Sequence, residues 1–260
     1  MGVKARQFII LYSAGMAGVL SFLLVDLNSL IQMIPVAVGW ERPTVTPLFQ
    51  IASLIQPSVL LAIAVVVGVV LAPRVGLSAP VAEAIAGRNE IWKAAQPQIV
   101  PGFLGGLAGG LLILLIAYVS RSYLSAEVVQ KSEEFSALLP LATRLLYGGI
   151  TEELLLRWGF LTVLVWASWR IFQKGDETPR PIFFILAIIL SSVVFGLGHL
   201  PMAYLLFPYA GPMLTAFVVS ANSVFGLIAG FLYWRKGLES AILAHMFAHL
   251  VMFAAMTVAR

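Results

Sequence analysis

Six side chains able to do chemistry lie between residues 141 and 260: Glu152, Glu153, Arg157, His199, His245 and His249. The chain has three histidines and no cysteine. Every imidazole is therefore in this set, and disulfides, thiolate metal sites and a cysteine nucleophile are excluded. The stretch Thr151-Glu152-Glu153-Leu154-Leu155-Leu156-Arg157 sets two carboxylates and a guanidinium inside an apolar run. A charge at the centre of a bilayer costs about 2.5–3.5 kcal/mol on insertion scales, so three of them need a reason. Glu153 and Arg157 are four apart and can pair on one helix face; locking helices together is the plainest use of that pair. Glu152 lies about 100° further round a regular helix. One guanidinium cannot neutralise two glutamates, so Glu152 is the free carboxylate, suited to general-base work. His245 and His249, at i and i+4, put two imidazoles on one face about 6 Å apart. His199 closes Phe195-Gly196-Leu197-Gly198-His199. A lone membrane histidine is commonly a packing hydrogen-bond donor; three of them following a Glu-Glu pair are not well explained that way.

Two chemistries fit these residue types, and spacing does not choose between them. In one, Glu152 takes a proton from water, a histidine orients that water, and facing imidazoles stabilise the oxyanion formed when an amide is attacked. In the other, His199, His245 and His249 hold Zn²⁺ and Glu152 is the base acting on metal-bound water. No HExxH is present, so the common zincin arrangement is absent.

The elements that must position these residues are membrane helices. The chain is 60% hydrophobic and 11% charged, against about 25% charged residues in soluble domains. Its mean hydropathy is +0.97. Lipid must therefore be the solvent for much of its surface. Apolar runs long enough to span occur at about 7–25, 48–72, 99–119, 145–168, 182–207, 213–234 and 238–258. The reading is an all-α polytopic bundle of about seven spans plus one or two interfacial helices. Lys4 and Arg6 precede a run too long for a signal-peptide core, with no small-x-small cleavage site after it, so the first run reads as a retained span. Ser78 to Gln96 reads as a helix lying in the membrane plane. Asn28 to Trp40, broken by Pro35, reads as re-entrant or surface-bound. Gly102, Gly105, Gly106, Gly109 and Gly110 have GxxxG spacing and predict close approach of another helix.

With the N-terminus inside, ten Lys/Arg (Lys4, Arg6, Arg74, Arg88, Lys93, Arg170, Lys174, Arg180, Arg235, Lys236) fall on inner segments and five (Arg42, Arg121, Lys131, Arg144, Arg260) on outer ones, as the positive-inside rule asks. In that topology Glu152, His199, His245 and His249 meet at similar depth. The net charge of +4 is explained by topology, and no basic run interleaved with aromatics suggests nucleic acid. Residues 1–140 hold no histidine, whereas 141–260 hold all the unusual residues. The chain thus divides into N-terminal membrane helices with interfacial segments (1–140) and a catalytic helical core (141–260).

The order EExxxR, FxxxH, HxxxH resembles the CAAX-protease and bacteriocin-processing (CPBP/Abi) family, which includes the type II CAAX prenyl endopeptidases. The resemblance covers about residues 140–255. It implies an intramembrane, glutamate-dependent endopeptidase acting on a membrane-anchored peptide or protein in the lipid bilayer. By position, Glu152 looks like the water-activating residue, Glu153 its partner and Arg157 their support. His199 is similar to the histidine that positions the water, and His245 to an oxyanion donor. His249 stands where the family usually has Asn, and histidine serves either as a donor or as a zinc ligand. The reading in another class is a non-proteolytic transporter, proton relay or bacteriocin-immunity protein, since buried Glu/His chains also build proton pathways. A partner-binding scaffold using the Gly-rich span is a third.

Overall fold

The computed structural model describes residues 1–36, 41–42, 44–175, 177–209 and 211–258. Trp40 and Arg260 fall outside them. Every regular element among the described residues is helical. In chain order these are α1 (Val3–Ser21), α2 (Leu27–Met33), α3 (Pro47–Ala52), α4 (Ile55–Leu71), α5 (Pro80–Gly87), α6 (Ile91–Arg121) and α7 (Ala126–Leu138). There follow α8 (Leu141–Phe172), α9 (Pro181–Gly198), α10 (Leu200–Leu206), α11 (Pro212–Lys236) and α12 (Leu238–Val258). Among the described residues seven segments are long and apolar enough to span: Val3–Leu24, Pro47–Val75, Ile91–Arg121, Leu141–Phe172, Pro181–Leu206, Pro212–Lys236 and Leu238–Val258. The chain is an integral, multi-pass membrane protein. Leucines and isoleucines such as Leu104, Leu111, Ile185 and Leu186 stay exposed on the outside of the bundle, where lipid replaces water as solvent.

Two connecting segments differ from the sequence reading. Ser78 to Gln96 is not one interfacial helix. It splits at Arg88, whose φ of 60° ends α5, and residues 91–96 are the first turns of the long α6. The alanines Ala82, Ala84 and Ala86 of α5 are buried against the bundle, because a helix with so little side-chain bulk can tuck under its neighbours. The segment between the third and fourth spans also carries a helix of its own, α7, capped by Ser125 accepting from the Val128 N–H. Val128 and Phe135 of α7 pack with Met33 of α2 and with Leu206, Phe207 and Leu214. The Lys131 ammonium donates to the Leu206 carbonyl at 3.1 Å, closing the C-terminal end of α10.

The glycines of α6 explain how α12, which carries two histidines, sits so close to it. A Cβ at Gly106 would lie 2.6 Å from the Ala244 carbonyl oxygen, one at Gly102 2.8 Å from Leu243 Cβ and one at Gly110 2.9 Å from Val251 Cβ. The second glycine row faces α11: a Cβ at Gly105 would be 2.6 Å from Leu232 and one at Gly109 2.8 Å from Phe225. Small residues at these positions let backbones approach, which is the main packing device available without a hydrophobic driving force. The Gly-rich face is thus filled by the chain's own helices, and the scaffold reading loses its surface.

α8 is fixed on its other side by α1. Thr143 Oγ1 donates to the Ser21 carbonyl at 2.9 Å and Thr151 Oγ1 to the Gly15 carbonyl at 2.7 Å. Leu11 and Val19 of α1, Leu61 and Val65 of α4, Leu154 and Trp158 of α8, Phe225 of α11 and Ala244 of α12 belong to one buried core. Residues before and after 140 are therefore packed together around the same centre.

Candidate active site

The two glutamates lie on an unusual stretch of α8. Residues Arg144–Glu152 and Leu154–Leu161 form π-helical turns, in which backbone bonds run i→i+5. Such a turn holds more residues than an α-turn, so successive side chains are separated by less than the 100° expected from a regular helix. Glu152 and Glu153 consequently reach the same imidazole. The Glu153 carboxylate lies 2.7 Å from His245 Nδ1, and Glu152 Oε2 lies 3.9 Å from His245 Nε2. His245 therefore stands between the two carboxylates, a relation that an α-helical wheel does not give.

Glu153 is fully buried and shares one oxygen, Oε1, between His245 and Arg157 Nη1, the latter at 3.0 Å. The expected Glu153–Arg157 pair is present. Arg157, 1% exposed, also donates from Nη2 to the Gly226 carbonyl at 3.3 Å and lies over the Phe195 ring at 4.8 Å. Glu152 keeps 20% of its side chain exposed and takes no part in the Arg157 pair. The two carboxylates thus differ in their surroundings: Glu153 is buried against Arg157 and His245, and Glu152 is more open.

His199 caps the C-terminal end of α9, and Leu200-Pro201 opens α10 immediately after it. Its Nδ1 is 2.8 Å from the Phe195 carbonyl. A carbonyl only accepts, so Nδ1 carries the proton and neutral His199 presents a bare Nε2. The same ring stands edge-on to Phe195 at 4.9 Å, and Phe195 stands edge-on to His245 at 5.9 Å. His249 stacks on His245 with ring centroids 4.9 Å apart and planes 15° apart. It fits only because residue 148 is glycine: a Cβ there would be 2.5 Å from His249 Nε2. Glu152, Glu153, Arg157, His245 and His249 are thus in one contiguous cluster, and His199 joins it through the Phe195 ring.

The zinc shell of His199, His245 and His249 does not fit this arrangement. Among the described residues no three His, Cys, Asp or Glu side chains gather as metal ligands. Imidazole lone pairs lie in the ring planes, and the nearly parallel planes of His245 and His249 do not meet at a common ion.

Two site residues were not singled out from sequence. Phe225 lies 4.3 Å from the His245 ring, and the Gly226 carbonyl holds Arg157. The signal was the repeated Phe-Gly pair, Phe195-Gly196 and Phe225-Gly226. A Cβ at Gly196 would meet Ser223 Oγ at 2.6 Å and one at Gly226 would meet Ser192 Cβ at 2.8 Å. The two glycines seat α9 and α11 against each other, and the two phenylalanines beside them face His245.

The cluster lies wholly within a stretch that matches a known family. Residues 134–251 match the Rce1-like family, type II CAAX prenyl endopeptidase Rce1-like. The matched segment, a little under half of the chain, is similar to that family. No curated protein and no solved structure matches the chain. All six residues picked out from the sequence fall inside the matched segment.

Proposed function

We propose that the protein is an intramembrane endopeptidase that hydrolyses a peptide bond of a membrane-anchored peptide or protein, with Glu152 as the water-activating base. The observation that carries this reading is the asymmetry of the two carboxylates: Glu153 is held at close range by Arg157 and His245, whereas Glu152 is partly exposed and has only His245 Nε2 near it, at 3.9 Å. The water oxygen attacks the carbonyl carbon as Glu152 takes its proton. The bare Nε2 of His199 accepts the second hydrogen of that water and orients it. Collapse of the tetrahedral intermediate breaks the C–N bond, and the proton on Glu152 passes to the leaving amine.

Oxyanion stabilisation falls to His245, with His249 beside it. With Nδ1–H donated to Glu153, neutral His245 would offer a lone pair at Nε2; to donate there it must carry a second proton. Glu153 supports that imidazolium, as a buried carboxylate does for a catalytic histidine. Residues 141–260 form the catalytic core in this reading, and residues 1–140 frame it through α1, α4 and α6.

The test uses purified protein in liposomes with a fluorogenic peptide carrying a lipid anchor. Glu152→Gln and His199→Ala are expected to insert normally and to lose cleavage, the former by about 10²–10⁴-fold as for removal of a general base. Full activity in Glu152→Gln would overturn the assignment. Proton-coupled uptake without cleavage would favour the transporter reading.

A further inference from the structure

A second group of buried polar side chains lies at the start of α12, away from the glutamate–histidine cluster. Gln98, in the third turn of α6 and 1% exposed, is engaged on both sides of its amide. Its Nε2 donates to the Ala94 carbonyl at 3.0 Å. Its Oε1 accepts the Ser240 N–H at 3.0 Å, and its own carbonyl accepts from Ser240 Oγ at 3.3 Å. The adjacent Glu239 reaches a different element: its Oε1 accepts the Ala82 N–H, in the first turn of α5, at 2.9 Å. The Leu238 N–H donates to the Ser78 carbonyl at 3.1 Å. The turn before them contains Gly237 at φ 114°, against which Pro80 and Gln98 are packed.

These bonds satisfy N–H groups that an isolated helix start and short α5 would leave open. A single serine or aspartate cap would have satisfied them locally. Here the acceptors come instead from α6, from α12 itself and from Ser78 just before α5, and so tie three elements to one another. Glycine-to-backbone contacts alone, as between α6 and α12, leave a helix free to slide along its axis. Directed hydrogen bonds at Glu239 and Ser240 remove that freedom. His245 follows Ser240 by five residues, about 7.5 Å along the helix axis, and must meet Glu153 at 2.7 Å.

We infer that Gln98 and Glu239 are positioning residues which set the axial register of α12 and so hold His245 on Glu153. The inference rests on the peptidase reading for its kinetic consequence and on geometry alone for its structural one.

The experiment pairs two readouts on Gln98→Met, Glu239→Met and Glu239→Gln in the full chain. The first is kcat and KM for the anchored peptide. The second is the ring Nδ1–H proton resonance of His245 in histidine-¹⁵N-labelled protein, assigned with His245→Gln. Both Met variants should lower kcat roughly 10–100-fold, the effect of misplacing a reacting group by about 1 Å. KM should stay within about twofold, as for a contact made in the transition state, and the His245 resonance should shift or broaden. Glu239→Gln keeps an oxygen for the Ala82 N–H and should restore both. If Gln98→Met fails to insert, Glu239→Met carries the same test from the α5 side. An unchanged resonance or kcat in the Met variants that insert, even with a lowered melting temperature, overturns the inference. So does Glu239→Gln behaving like Glu239→Met. If the wild-type chain cleaves no peptide, the peptidase reading fails while the resonance still decides the positioning claim.

Discussion

Replacing Arg157 by Met should damage stability as well as activity, and by an amount that can be worked from its contacts. Arg157 is buried, pairs with Glu153 at 3.0 Å, donates to the Gly226 carbonyl at 3.3 Å and covers the Phe195 ring at 4.8 Å. Methionine fills much of the volume and keeps none of the charge. The substitution therefore leaves the Glu153 carboxylate buried with only His245 beside it. Removing one member of a buried ion pair costs about 3–5 kcal/mol, chiefly from the charge left uncompensated. At roughly 2–4 °C per kcal/mol for a chain of this size, thermal unfolding should shift down by about 6–20 °C. The assay is circular dichroism against temperature in one detergent at fixed pH. The double variant Arg157→Met/Glu153→Gln removes the orphaned charge and should recover more than half of the loss, because the two sites are coupled. A single variant that melts within about 2 °C of wild type, a shift worth no more than about one kcal/mol, would refute the view that this pair organises the bundle centre.

Other outcomes follow from the same geometry. Gly148→Ala should collide with His249, whose Nε2 lies 2.5 Å from the added carbon; cleavage should fall about 10²-fold through misplacement of the stacked imidazoles. Gly148→Ala/His249→Asn should regain activity, since the shorter side chain vacates that space; no recovery would show that Gly148 matters for another reason. Chelation of divalent ions should leave cleavage unchanged, because the described histidines and carboxylates do not gather as a ligand set; loss of activity restored by added Zn²⁺ would reinstate the metal mechanism.

The bundle was readable because lipid imposes a coarse and demanding rule. Seven apolar runs of spanning length appear in the sequence, and seven helices of that kind appear in the structure. The Glu153–Arg157 pair was readable because burying those charges apart is so costly. The glycines of α6 announced a close helix contact, though only the fold shows that α11 and α12 are the helices received. What escaped the sequence depended on local backbone form or on distant partners. The π-helical turns of α8 bring Glu152 and Glu153 to one imidazole, and no helical wheel foresees them. Glu83 and Arg88 among apolar residues suggest one helix over 78–96; the left-handed backbone at Arg88 that ends α5, and the burial of its alanines against the bundle, are not legible in that pattern. α7 has only a short apolar face, and that face is satisfied by a satellite cluster around Phe207. The roles of Phe225 and Gly226 come from α11, a span with no titratable residue near the site to draw attention.

The central claim is that Glu152, and not its neighbour, activates water. It is tested most directly by single-turnover cleavage of one anchored peptide in liposomes by wild type, Glu152→Gln and Glu152→Asp, each checked for correct insertion. Wild type should cleave. Glu152→Gln should be reduced about 10²–10⁴-fold, and Glu152→Asp should retain partial activity, since it keeps a base set back by one methylene. Equal cleavage by wild type and Glu152→Gln would contradict the claim.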